Sequence, residues 1–337
     1  MEFKKYNSIE NSYQNDFIET IINHGFSNLE YIVQEKVHGA NLSFICDGKT
    51  ILSAKRTELI LESENFYNSS NVLEKYKINI FSLHQELFET HNAKSITIFG
   101  ELYGGGYPHN EVLVDENAKL IQRGIYYNPS NDFYAFDILI NNEYYLNVDL
   151  MCELFAKYNF NYAKTIFKGN LKECLEFPNN FKTKIPNSLN LPEIDGNISE
   201  GTIIRTEKPE YLKNGSRVLI KNKNEIWSEN NKYIDRAILT KIIRDEEEEL
   251  SEEANFLCEE IYKYITENRL LNLISKIGEI NPKKDLGKVL GLYCKDALED
   301  FLKINKEKYD DLEKIESKRV NKFLNKQATV MITEYFK

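Results

Sequence analysis

A change in apolar spacing near residue 236 restricts the fold of this chain more than any other feature. From about residue 30 to residue 230, apolar residues fall in short β-branched and aromatic runs, "SITIFGEL", "DFYAFDILI", "EGTIIRTE" and "SRVLIKNK", parted by turn-rich or helix-like stretches. Beyond 236 they recur at helical spacing, in "ANFLCEEIYKYI" and "RLLNLISKIGEI", with Pro282 the one proline. A period of two buries one face of a strand and a period near 3.6 buries one stripe of a helix, so a segment patterned for one does not settle as the other. The chain reads as an α+β domain over residues 1–236, followed by a small all-helical domain over residues 237–337. A length of 337 residues supplies enough buried surface for two cores. Between them in character, residues 179–198 gather prolines and polar side chains and are expected to form a surface loop.

Composition removes several functional classes. An aromatic content of 12% with 42% hydrophobic residues argues against disorder. No apolar run approaches the roughly 20 residues of a membrane span. The opening "MEFKKYNSIE" lacks the apolar segment of a signal peptide. A cytoplasmic monomer without a membrane partner is therefore expected. The five cysteines, Cys46, Cys152, Cys174, Cys258 and Cys294, never approach a CxxC spacing, which leaves reduced core thiols rather than a zinc knuckle or a disulfide framework. The net charge is −10, but the tract "DEEEELSEE" at 245–253 holds seven acids and no base, so the remainder is nearly balanced and free to carry local basic faces. The tract itself reads as a solvated helix start or a linker.

Chemistry enters with "YIVQEKVHGANLSFICD", residues 31–47, where Lys36 interrupts an apolar, strand-like run. Alternation sets Lys36 opposite Val33, Glu35 and Val37, and Gly39 permits a tight turn before "NLSF". A lysine before a turn is commonplace on its own. In "TIFGELYGGGY", Glu101 shares a face with Thr97 and Phe99, and three glycines follow that would let the backbone turn close to a ligand. Glu200 opens the strand-like "EGTIIRTE", and in "VLIKNK" Lys221 and Lys223 face the same way, two like charges that call for an anion between them. Read singly, these are strand-end acids and an edge-strand lysine pair. Together they suit nucleotidyl transfer: a lysine amine becomes a nucleophile once desolvated or set beside cations, while carboxylates holding Mg²⁺ and lysines acting as point charges neutralise the phosphate under attack.

With these residues in place, the sequence resembles the covalent nucleotidyltransferases, and within them the phage-type RNA ligase 2 family of ATP-dependent RNA ligases, which includes the RNA-editing ligases of trypanosomes. The resemblance runs over essentially the whole chain. "EKVHGAN" is similar to motif I, with Lys36 as the adenylylated lysine and with His38 and Asn41 matching this subfamily; "AKRT" is similar to motif Ia, with Arg56. "FGELYGGGY" resembles motif III with Glu101, and "FYAFDI" motif IIIa, with Phe136 stacking on adenine and Asp137 beside it. "SEGTIIR" resembles motif IV with Glu200, and "VLIKNK" motif V with Lys221 and Lys223. "LISKIGEINPKKDLGKVLGL" resembles the helical C-terminal domain of that subfamily. Arg205 is a departure, standing where a lysine would be expected.

The resemblance implies a catalytic domain of antiparallel sheets flanked by helices and a helical RNA-binding domain. It implies ATP as AMP donor, with Mg²⁺ or Mn²⁺ held through Glu200. Nucleotide contacts are expected from Glu35, Val37, Asn41, Arg56, Glu101, Phe136, Lys221 and Lys223, with His38 and Asp137 close by. The implied reaction joins RNA 3′-hydroxyl and 5′-phosphate ends through lysyl-AMP and an AMP-capped RNA end, sealing nicks in duplex RNA during repair or editing. A DNA ligase or an mRNA-capping guanylyltransferase shares the nucleophile, but both normally carry a β-rich oligonucleotide-binding barrel where this chain reads helical. A non-catalytic RNA-binding module would tolerate loss of Lys36 or of the lysine pair, and all three are present.

Overall fold

The computed structural model describes residues 1–230, 251–278 and 280–336. The chain divides into two units, Met1–Ile226 and Trp227–Lys337. The boundary expected at 236/237 and residues 245–250 of the acidic tract lie outside the described residues.

The first unit is built on two sheets. Strands β1 (Glu10–Asn11), β2 (Tyr31–Glu35), β3 (Ala40–Cys46), β4 (Ile51–Lys55), β5 (Ile96–Gly104), β6 (Asn131–Ile140), β7 (Tyr144–Tyr145), β8 (Asn161–Tyr162), β9 (Thr165–Gly169), β10 (Gly201–Thr206) and β11 (Leu219–Lys223) appear in that chain order. One sheet has the order β1-β11-β10-β2-β9 and the other β4-β3-β5-β6-β7, with β8 beside β6. Pairing is antiparallel except at β1/β11 and β6/β8. Strands from the same stretch of sequence thus enter different sheets: β2 ends at Glu35 in the first, and β3 begins at Ala40 in the second. Residues 36–39 are the crossing, and Lys36 stands there rather than inside a strand.

Three apolar clusters fix the sheets. Helix α1 (Asn15–Asn23) supplies Ile21 to a cluster with Tyr31, Val33, Ile204 and Ile220 from the first sheet. Helix α2 (Ser69–His91) buries Val72, Ile80, Leu83 and Leu87 against Phe44, Ile98, Phe133 and Ile138 of the second. Alternation places the opposite faces toward one another, where Phe99 and Leu139 of the second sheet meet Leu219 of the first together with Tyr6. The 179–198 segment is more than a surface loop: it holds a short helix, Ile185–Ser188, with Ile185 and Pro186 buried, and a β-bridge from Lys182 to Ile198.

The second unit contains helices Glu252–Tyr262, Glu267–Ile277, Pro282–Asp310 and Lys314–Tyr335, around a core that includes Leu257, Ile261, Leu270, Tyr293, Phe301, Phe323 and Ile332. The end of the acidic tract does open a helix: the Ser251 hydroxyl accepts the Ala254 N–H, and Glu252 and Glu253 sit in the first turn, where carboxylates favour the helix dipole. Arg269, 1% exposed, ties the unit together through ion pairs to Asp296 and Asp300. All five cysteines are free, and Cys152 alone is not fully buried.

Candidate active site

Lys36 owes its position to the crossing. Its backbone N–H donates to the Gly201 carbonyl at 2.9 Å, continuing the β2/β10 pairing by one residue. The next N–H but one, that of His38, donates to the Tyr127 hydroxyl at 3.0 Å. Gly39 follows, and a Cβ there would lie 2.3 Å from the Leu102 carbonyl oxygen and 2.9 Å from Glu101 Cγ. Only glycine lets the chain pass that close to β5. A second glycine constraint sits at Gly201, with φ +138° and a hypothetical Cβ 2.2 Å from the Asn222 carbonyl oxygen, which keeps Glu200 against β11.

The lysine ammonium meets Glu200 directly. Lys36 Nζ is 2.7 Å from Glu200 Oε2, Lys223 Nζ is 2.9 Å from Oε1, and His38 Nδ1 is 3.5 Å from Oε2. Glu200 is 1% exposed, so burial alone would raise its pKa, yet Lys223, Lys36 and His38 outweigh burial and hold the carboxyl well below the usual range. The anion expected between the two lysines of β11 is, for Lys223, this carboxylate. Lys221 lies two residues earlier on β11, opposite Ile203 of β10.

On the facing sheet Asn41 and Glu101 are directly opposed across β3 and β5. Burial pushes the Glu101 carboxyl up to about 7, with Lys36 and Arg56 pulling it down, Glu200 pushing it up and the Gly39 N–H stabilising its charge. These mutual effects place Lys36, Arg56, Glu101 and Glu200 within one electrostatic neighbourhood. Burial lowers the Arg56 pKa, opposed by Tyr6 and Glu101, and Arg56 Nη2 reaches the Asn7 carbonyl at 3.4 Å. Phe136 is half-buried, its ring edge-on to Tyr6 at 5.0 Å. It falls at a bulge, since the β5/β6 register passes from Phe99↔Asp137 to Gly100↔Ala135 and skips it.

Other expected contacts are arranged differently. Asp137 is fully buried and its carboxylate is taken up by Arg205 at 3.0 Å, Arg217 at 2.6 Å and the Tyr6 hydroxyl at 2.7 Å. Arg205 also donates to the Phe136 carbonyl at 3.0 Å, so the arginine found in place of the expected lysine anchors the strand that carries Phe136. Glu35 alternates away from Lys36, as its strand position requires. Its carboxylate accepts the Lys184 N–H at 3.2 Å, and only its backbone stands beside the lysine. Val37 is buried, and its carbonyl lies 3.4 Å from Lys36 Nζ. The triple glycine does not turn toward this cluster: Gly105 and Gly106 donate to the Ser130 and Asn128 carbonyls. Tyr6 and Tyr127 carry no local pattern, and Arg217 stands unremarked in the strand-like run "SRVLIKNK"; the one available signal for the tyrosines is their abundance outside such runs.

The assembled groups are an amine, two neighbouring carboxylates with opposed electrostatics, and further cations, which is a set for handling a phosphate. Two family models match this chain, one described as RNA ligase over residues 29–223 and one described as T4 RNA ligase 2 C-terminal over residues 247–330. RNA-editing ligase 1, mitochondrial, of Trypanosoma brucei brucei is 27% identical over 344 residues, covering 85% of this chain and 73% of the relative. RNA-editing ligase 2, mitochondrial, of the same organism is 28% identical over 353 residues, covering 89% and 83%. The solved structure of Naegleria gruberi RNA ligase with PPi aligns with a TM-score of 0.44 at 15% identity, covering 67% of this chain and 57% of that one. A mutant of the same ligase with ATP and Mn aligns with a TM-score of 0.46, covering 67% and 58%. The match over residues 29–223 takes in every strand but β1 and every residue of the lysine cluster, more than half of the chain, and the second match takes in most of the C-terminal helices: the chain belongs to the RNA ligase family, as a ligase of the T4 RNA ligase 2 type.

Proposed function

We propose that this RNA ligase joins an RNA 5′-phosphate to an RNA 3′-hydroxyl at the expense of ATP, with Lys36 as the nucleophile. The observation that carries the reading is the shared carboxylate: Glu200 holds Lys36 and Lys223 on its two oxygens, which poises one amine and one fixed cation at a single point. In the first step the Lys36 nitrogen, freed of a proton and of its bond to Glu200, attacks the α-phosphorus of ATP. An N–P bond forms, the α–β phosphoanhydride breaks and pyrophosphate leaves. An oxygen of the RNA 5′-phosphate then displaces the amine, and finally the 3′-hydroxyl attacks the activated 5′-phosphorus as AMP departs.

Lys221 and Lys223 would face the phosphates as point charges, and Arg56, whose planar fork pairs two oxygens at once, would hold a phosphate or the 5′ end. Asn41 and Glu101 would address the ribose, with Phe136 stacked on adenine. A divalent cation fits the donor set: burial raises the proton affinity of Glu101 and the nearby Glu200 charge adds to it, a cost that a hard cation on carboxylate oxygens relieves. Glu101 is the better placed of the two, since both Glu200 oxygens already face ammonium groups. Bound there, Mg²⁺ or Mn²⁺ would neutralise phosphate charge.

The reading extends to nicks in duplex RNA as substrate, in repair or editing, and to a monomer acting in the cytoplasm without a membrane partner. The second unit would hold the duplex. Among the described residues of that unit no strand occurs, which favours an RNA ligase over a DNA ligase or capping enzyme with a β-barrel. The test is sealing of a nicked RNA duplex by the full chain with ATP and Mg²⁺, beside the same nick with a DNA strand supplying the 3′-hydroxyl. Sealing of neither overturns the proposal.

A further inference from the structure

We propose that the pocket holding the Glu35 carboxylate is a second nucleotide site, separate from the Lys36 cluster, which takes a nucleotide whose base carries an exocyclic amino group. The pocket has a volume of about 570 Å³, and among the described residues Lys36, Arg56, Glu101, Phe136, Glu200 and Lys223 do not line it. That volume lies within the usual range for small-ligand sites.

Three features define what fits. Glu35 is 7% exposed and lines the pocket; Oε2 accepts from Lys184, but Oε1 is buried without a hydrogen-bond partner among the described residues. An orphaned buried acceptor is costly, and a ligand donor removes that cost. The walls include Tyr134, Phe160 and Tyr162, flat faces on which a base can stack. Lys164 and Lys184 also line the pocket, and Lys164 Nζ stands 5.9 Å from the centre of the Tyr162 ring, so a phosphate attached to the base would find a cation.

The acceptor sets the preference. An ionised carboxylate accepts only, so the amino groups of adenine, cytosine and guanine satisfy Oε1, whereas uracil seated in the pose of cytosine would set its O4 carbonyl oxygen where cytosine presents an amino group. Burial pushes the Glu35 carboxyl up to about 7, opposed by the nearby Thr183 and by the Lys184 amide, and a donor on Oε1 favours the charged form. That the nucleotide belongs to the RNA being joined rests on the proposed function; that the pocket binds one does not.

Calorimetric titration of the full chain with CMP and with UMP decides the matter. CMP is expected to bind about tenfold or more tightly than UMP. Tyr162→Ala should weaken CMP by about tenfold and Tyr162→Phe should retain it, since stacking requires the ring alone. Glu35→Gln should bring CMP and UMP together, because an amide offers both a donor and an acceptor. In Tyr162→Ala, uptake of label from α-labelled ATP should match the parent, and KM for nicked RNA should rise while KM for ATP holds. Equal or absent binding of CMP and UMP by the parent, or CMP affinity within twofold of the parent in Tyr162→Ala, overturns the proposal. Joint loss of CMP binding and ATP labelling in Tyr162→Ala would assign CMP to the Lys36 cluster and overturn it equally. A parent that takes no label refutes the proposed function instead, while the CMP result still decides the pocket.

Discussion

Asp137→Asn separates an anchoring role for that carboxylate from direct contact with nucleotide. The Asp137 side chain is 0% exposed and accepts four hydrogen bonds, from Tyr6 at 2.7 Å, Arg217 at 2.6 Å, Arg205 at 3.0 Å and the Ile138 N–H at 3.2 Å. Hydrogen bonds to a charged group contribute about 1.5–3 kcal/mol each, so the gross interaction is large. Asparagine keeps one acceptor oxygen but turns an NH₂ toward a guanidinium and leaves Arg205 and Arg217, 2% and 1% exposed at the side chain, without a counter-charge. Removing one partner of a buried pair costs about 3–5 kcal/mol, and that is the expected loss. At roughly 2–4 °C per kcal/mol for a unit of this size, the melting temperature should fall by about 6–20 °C. Urea titration supplies the free energy and calorimetry the temperature.

The acid limb supplies a second check. Burial works to raise the Asp137 pKa, but the two guanidiniums prevail and hold it below the ordinary value. A carboxyl depressed on folding contributes stability that is complete above its unfolded pKa, near 4, and is lost as pH falls through the folded value. The difference between parent and variant should thus be constant from about pH 5 to 8 and shrink only below about pH 4. A loss under about 1 kcal/mol at pH 7, or a difference that shrinks near neutrality, would refute the reasoning.

Lys221→Ala and Lys223→Ala are each expected to slow uptake of label from α-labelled ATP by about 10²-fold, the scale of losing one fixed charge aimed at a reacting oxyanion; unchanged single-turnover rates in both would reduce the pair to an edge-strand feature. Gly39→Ala should cost about 1–3 kcal/mol and lose most adenylylation, because the added Cβ would lie 2.3 Å from the Leu102 carbonyl oxygen; parent-like labelling and urea midpoint would contradict the tight crossing. A truncation ending near residue 236 should still take label but seal a nicked RNA duplex poorly, and full sealing at matched salt would remove the substrate-holding role given to the helices.

Local patterns made much of the lysine cluster legible. Strand alternation separates Lys36 from Glu35, and the structure keeps the Glu35 carboxylate away from the lysine. Gly39, read as permitting a tight turn, does mark a close approach, since a Cβ there would lie 2.3 Å from the Leu102 carbonyl oxygen. The switch of apolar period announces a change from sheets to helices, although the division at Ile226 and Trp227 falls in a stretch with no period to read. What escaped notice depends on partners far apart in sequence. Nothing local tells Asp137 that Tyr6, Arg205 and Arg217 will converge on it, because period reports which face is buried and not which charges meet there. The same holds for the Glu35 carboxylate, where one oxygen accepts the N–H of Lys184, far along the chain, and the other is buried without a partner among the described residues.

The central claim is that Lys36 is the residue that becomes covalently bound to AMP. Incubation of the full chain with ATP and Mg²⁺, followed by intact-mass measurement and peptide mapping, addresses it directly. One added AMP is expected, mapped to the peptide that contains "EKVHGAN", absent from Lys36→Ala and from Lys36→Arg, since a guanidinium stays protonated and cannot attack. An adduct retained by Lys36→Ala, or one mapped to Lys221 or Lys223 in the parent, would contradict it.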